Sequence, residues 1–234
     1  MAKVKVKGPI ISNDDQWIYD LFEIEATSPM SVEREIEKAN GQDLEVEINS
    51  GGGSVFAGSE IYTTLKSYKG NVTTKIVGIA ASAASVIAMA SSKVLMSPTA
   101  QMMIHNVSGG ASGDYRDMDH TSSILKNANK TVANAYRIKS GMGEDELLSM
   151  MDKETWLTAD QALEHKLIDE VMFSNNYQLT ASISSALLPS EVINKIRNMK
   201  DKLKPTKSKP NNSREKTLQA KLKLLKLKGV VDNE

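Results

Sequence analysis

The chain has 234 residues, 40% hydrophobic and 25% charged, with no cysteine, which supports one sizeable core and excludes disulfides and thiolate metal centres. It holds no apolar run of about eighteen residues, and its first eight residues alternate Lys and Val, so neither a membrane span nor a secretory leader is expected and the reading is cytoplasmic. Its net charge of zero hides an asymmetry: residues 195–228 carry thirteen Lys/Arg against two Asp/Glu, so the remainder is acidic by the same margin.

Up to about residue 174, strand and helix patterns alternate, as in an α/β domain. Residues 3–7 read as a strand. Ser31 is the expected N-cap of a helix over 32–39, which Asn40-Gly41 ends. Residues 44–48 alternate as a strand, and the glycines at 51–53 turn the chain into a helix over 59–68. A β-branched run at 72–77 is the next strand. It leads through Gly78-Ile79-Ala80-Ala81-Ser82-Ala83-Ala84-Ser85 into a buried helix at 86–90. Short strands follow at 93–96 and 101–105, then a glycine loop with Gly109, Gly110 and Gly113. Asp114 opens a long helix to about Ser140, and a short helix spans 144–151. An N-capped helix from Thr158 leads to a last strand at 168–172.

Beyond residue 174 the core pattern stops. Residues 175–212 read as a low-order linker with a short helix at 191–199. Residues 213–234 read as a basic amphipathic tail with Leu218, Leu222 and Leu225 at helical spacing. Partial disorder and a docking helix both fit this composition.

Chemistry concentrates on few residues. Ser82 stands where a strand hands over to a helix, near unpaired helix N–H groups and the positive end of the dipole. Ser85 lies one turn inside, where it packs or bonds back to a carbonyl. A serine hydroxyl needs a base, and the chain has three histidines. His120 sits beside Asp117 and Asp119 on a solvated helix face, and His165 at a helix end. His105 ends a strand and can project at the same sheet edge as Ser82; placement alone leaves a structural role equally open. The carboxylate that would orient it is sought in Asp152-Lys153-Glu154-Thr155-Trp156. The glycines at 51–53 serve either as a tight turn or as donors of an oxyanion hole. No metal site is supported, and the tail lacks aromatics for stacking on nucleic-acid bases.

Asn49-Ser50-Gly51-Gly52-Gly53-Ser54-Val55 with Gly58, the run from Gly78 to Ser82, Met103-Ile104-His105-Asn106 with Gly109-Gly110, and Trp156-Leu157-Thr158-Ala159 with Leu167-Ile168-Asp169 together resemble the Clp protease proteolytic subunit family, within the crotonase-like superfamily. The resemblance covers residues 3–173. It implies a fold of stacked ββα units with an extended helical handle, and a serine endopeptidase without a cofactor. By position, Ser82 is the nucleophile, His105 the base, and Glu154 the third member, with Asp152 as the alternative. The N–H groups of Gly53 and Ala83 form the oxyanion hole, and Gly51, Gly52, Ser54 and Val55 the substrate-binding loop.

The resemblance also implies protein or peptide substrates and homo-oligomeric rings, heptameric or stacked, with no nucleic-acid or membrane partner. Gly51 stands where the family has proline, and Lys166 where it has glycine. The shorter N-terminus argues against docking to a Clp ATPase. Together with the basic tail, these departures resemble the head maturation proteases of tailed phages and prophages, whose partners are capsid proteins. A cellular paralogue is the second reading. A crotonase-like acyl-CoA enzyme shares the fold but has no need of Ser82 and His105 together, and an inactive assembly protein would keep the fold with a relic site.

Overall fold

The computed structural model describes residues 1–174; the expected linker (175–212) and tail (213–234) lie outside the described residues. The described chain is mixed α/β. A parallel sheet has the order β1 (Ala2–Lys7), β2 (Leu44–Ser50), β3 (Val72–Ala81), β4 (Lys93–Met96) and β7 (Glu170–Val171). The end of β3, still paired with β2 at Ser50, also pairs in parallel with β5 (Gln101–Ile104), which in turn pairs antiparallel with β6 (Thr155–Leu157) in the same seven-stranded sheet.

The period-2 pattern sets the two faces of the sheet. Val4, Val6, Val46, Ile48 and Ile76 are fully buried, each contributing about 1.5–3 kcal/mol through apolar burial. Lys3, Lys7, Glu45, Glu47 and Lys75 alternate with them as an ion-paired ladder on the other face. Hydrogen bonding to Lys75 holds Glu45 below the usual carboxylate range, and Lys7 and Lys3 do the same to Glu47. The helices α2 (Pro29–Ala39), α3 (Val55–Lys66) and α4 (Ala83–Ala88) pack in sequence over the apolar side.

Several boundaries differ from expectation. The N-cap of α2 is Ser28, three residues earlier than Ser31, because Pro29 fits the first helical position and Ser31 completes the capping box. The α3 helix begins at Val55 with Ser54 as its cap, and α4 begins at Ala83, directly after Ser82. Unforeseen are a 3₁₀ turn at Asn13–Asp15, α1 (Gln16–Leu21) and β6. The long helix α5 (Tyr115–Ser140) is capped by Asp114 and Asp117, which commits the Asp117 carboxylate to the backbone. Its buried residues, Ala133, Ala135, Tyr136 and Ser140, all lie in its last third, where it meets α4 and α6 (Glu144–Asp152).

The last helix, α7 (Ala159–Glu164), ends on Lys166 at φ 57°, in the left-handed conformation usually given to glycine. Two bonds close this Schellman turn, from Lys166 N to the Leu163 carbonyl and from Leu167 N to the Ala162 carbonyl, both 2.9 Å. The cap therefore forms with lysine.

Candidate functional site

The end of β3 delivers Ser82 in a strained conformation, φ 56° and ψ −127°, a cost of about 1–3 kcal/mol. Its backbone is held on both sides. Ser82 N–H donates to the Met103 carbonyl at 3.0 Å, and the Ser82 carbonyl accepts from Ser85 N at 3.0 Å and Val86 N at 3.3 Å. The first of these bonds joins the Ser82 turn to β5, two residues before His105. As a result Ser82 Oγ and His105 Nε2 lie 2.7 Å apart. With the proton on Nδ1, Nε2 accepts the Ser82 hydroxyl hydrogen, the arrangement a general base needs.

The glycine loop is fixed against this pair by residues further up the chain. Ile10 N donates to the Gly52 carbonyl at 2.9 Å, Ser54 N donates to the Ile10 carbonyl at 2.8 Å, and Gly52 N donates to Ser50 Oγ at 3.1 Å. A Cβ on Gly53 would stand 2.1 Å from the Ile10 carbonyl oxygen, and one on Gly52 2.6 Å from the Ala81 oxygen. Gly51 has open space at the corresponding position. The loop thus needs glycine at 52 and 53 for close approach, and not at 51. The N–H groups of Gly53 and Ala83 have no hydrogen-bond acceptor among the described residues. Both residues line the cavity beside Ser82.

A cavity of about 460 Å³ opens beside Ser82 and His105, lined by Gly53, Val55, Phe56, Tyr62, Val86, Val107, Val132 and Ile138 among others. Of the expected substrate loop Val55 borders it, next to Gly53; Ser54 caps α3, and Gly51 and Gly52 form the turn before it.

The carboxylates are arranged differently. The antiparallel register ends with Ile104 paired to Thr155, and Glu154 is the turn residue immediately before β6. Its Oε1 accepts from the Trp156 indole at 3.3 Å. Asp152, at the end of α6, accepts from Asn106 Nδ2 at 2.7 Å. Neither carboxylate is hydrogen-bonded to His105. The structure thus joins Ser82 and His105 at 2.7 Å, with Gly53 and Ala83 lining the same cavity, and leaves Glu154 in the turn that precedes β6. His120 lies exposed on α5 and His165 caps α7, both in other parts of the fold.

Sequence reasoning missed Tyr136, whose hydroxyl is buried against Ser85 Oγ at 2.8 Å. A lone aromatic within an otherwise small-residue stretch of α5 was the available signal.

The sequence profile described as Clp protease matches residues 34–175, more than half of the chain. The chain belongs to the Clp protease family. It is 37% identical over 134 residues to an ATP-dependent Clp protease proteolytic subunit of Bacteroides fragilis, covering 56% of this chain and 65% of that protein. The corresponding subunit of Bacteroides thetaiotaomicron is 35% identical over 134 residues, 56% of this chain and 61% of that protein. A proteolytic subunit 1 of Chlamydia muridarum is 32% identical over 164 residues, 68% of this chain and 79% of that protein. The match to the two Bacteroides subunits thus spans somewhat less than two thirds of their length.

Proposed function

We propose that this Clp protease family member is a serine endopeptidase. Ser82 attacks the scissile carbonyl. His105 takes its proton and returns it to the leaving amine. Glu154, on turning its carboxylate from the Trp156 indole, orients the His105 imidazole, and the N–H groups of Gly53 and Ala83 stabilise the tetrahedral oxyanion. The observation that carries this reading is the 2.7 Å contact between Ser82 Oγ and His105 Nε2 beside two uncommitted N–H groups. A crotonase-type acyl transfer has no use for that contact. The test is digestion of an unfolded polypeptide at neutral pH. Wild type yields peptides, and Ser82→Ala and His105→Ala do not; an intact polypeptide after prolonged incubation with folded wild type contradicts the reading.

Its setting is proposed to be the cytoplasm, as a homo-oligomeric ring of chains acting in head maturation of a tailed phage or prophage, on capsid proteins. Support comes from the basic composition of 195–228 and from Gly51 in place of proline. The names of the relatives favour the second reading, a cellular ATP-dependent Clp subunit paralogue. Mass spectrometry of the purified chain separates the two. Loss of residues beyond about 175 in wild type but not in Ser82→Ala supports maturation by self-processing, and an intact tail in both supports the cellular reading. Light scattering reports the ring, and a monomer at micromolar concentration contradicts it.

A further inference from the structure

The buried hydroxyls of Ser85 and Tyr136 lie immediately behind the nucleophile. Ser85 is fully buried and Tyr136 is 1% exposed. Ser85 Oγ contacts three oxygens: the Ser82 carbonyl at 2.7 Å, the Met103 carbonyl at 2.9 Å and Tyr136 Oη at 2.8 Å. Proton arithmetic fixes the direction of these bonds. A serine hydroxyl has one hydrogen, and the two carbonyls can only accept. If Ser85 donated to Tyr136, both carbonyl oxygens would face its lone pairs in a fully buried site. The Ser85 hydrogen is therefore shared by the carbonyls, and Tyr136 O–H donates to Ser85 Oγ. Burial raises the Tyr136 hydroxyl far above the ordinary tyrosine range, so it remains a donor at any working pH.

The two carbonyls belong to the two halves of the proposed catalytic pair. One is that of Ser82 itself, whose backbone is strained. The other, Met103, lies two residues before His105 and also accepts the Ser82 N–H. The single Ser85 hydroxyl thus bridges the nucleophile turn to the strand that carries the base. Tyr136, from the buried end of α5, sets the orientation of that hydroxyl.

Resting on the serine peptidase reading, we propose that Ser85 and Tyr136 are positioning residues, which act in series to hold Ser82 Oγ at hydrogen-bond distance from His105 Nε2. Neither touches substrate through its hydroxyl. Loss of either lets the turn relax away from the base, and reactivity falls without loss of substrate affinity. Because Tyr136 acts through Ser85, the two losses do not multiply.

The experiment measures labelling of the full chain by a fluorophosphonate, separating the maximal rate constant from the half-saturating probe concentration, with melting temperature recorded for each variant. Tyr136→Phe keeps the ring and is expected to lower the maximal rate about tenfold with half-saturation within about twofold of wild type. Ser85→Ala lowers it about tenfold to hundredfold, and Ser85→Ala with Tyr136→Phe is no slower than Ser85→Ala alone. If Ser85→Ala does not fold, Tyr136→Phe carries the test by itself. A folded Tyr136→Phe that labels at the wild-type rate overturns the proposal while leaving the peptidase reading intact, and so do losses that multiply in the double variant. Folded wild type that does not label at all overturns the peptidase reading, and this proposal with it.

Discussion

Ser82 and Glu154 both adopt left-handed backbone, at φ 56° and 50°, but the chain secures them by different means. At Ser82 both backbone polar groups are engaged, the flanking Ala81 and Ala83 are buried, and β5 is bonded directly to the turn. At Glu154 the residue is exposed, and its backbone N–H closes the end of α6 on the Met151 carbonyl at 3.1 Å. Its carboxylate engages the Trp156 indole rather than His105. One side of the site is therefore held by several buried backbone bonds, and the other by a short turn at the surface. The tight side does not accommodate an added methyl at Gly52 or Gly53.

The largest effect is expected from breaking the tight side. Gly53→Ala puts a Cβ into the Ile10 carbonyl and displaces the proposed oxyanion donor, so peptide hydrolysis is expected to fall about 10²–10³-fold. Gly51→Ala, with open space around it, leaves hydrolysis within about twofold of wild type. Equal losses in the two variants would show that the loop is not clamped by Ile10.

On the loose side, Glu154→Gln is expected to lower hydrolysis about hundredfold, less than the roughly 10⁴-fold cost of losing a buried triad carboxylate. Asp152→Asn retains the Asn106 contact partly and costs only a few-fold. The reverse ordering would assign the third role to Asp152.

A smaller effect concerns backbone strain remote from the chemistry. Lys166→Gly relieves a left-handed residue at the end of α7 and raises unfolding free energy by about 1 kcal/mol, with hydrolysis unchanged. A drop in stability would show that the lysine side chain, rather than the turn, holds this cap.

The smallest concerns pH. Glu45 and Glu47 are held below their ordinary range, so the ladder's contribution is complete above 4.5 and fades as pH falls through the lowered values. Acid melting of Glu45→Gln should be less pH-dependent than that of wild type below 4.5; identical curves would remove the ladder from the account.

Much of the tight side could be read from the sequence. The glycine run, the serine at a strand–helix junction and the histidine at a strand end are local patterns with local causes. Ser31 misled because a serine three residues after Ser28 satisfies the capping box from inside the helix. The loose side was less legible because β6 has three residues and owes its existence to pairing with β5, some fifty residues earlier. For the same reason, the bond between Ser85 and Tyr136, 51 residues apart, left no periodic trace.

The most direct measurement is intact-mass spectrometry after treatment with a fluorophosphonate. One adduct per chain, mapped to Ser82 and absent from Ser82→Ala and His105→Ala, is the predicted result. Folded wild type without an adduct, or an adduct that persists in Ser82→Ala, would contradict the assignment of Ser82 and His105 as nucleophile and base.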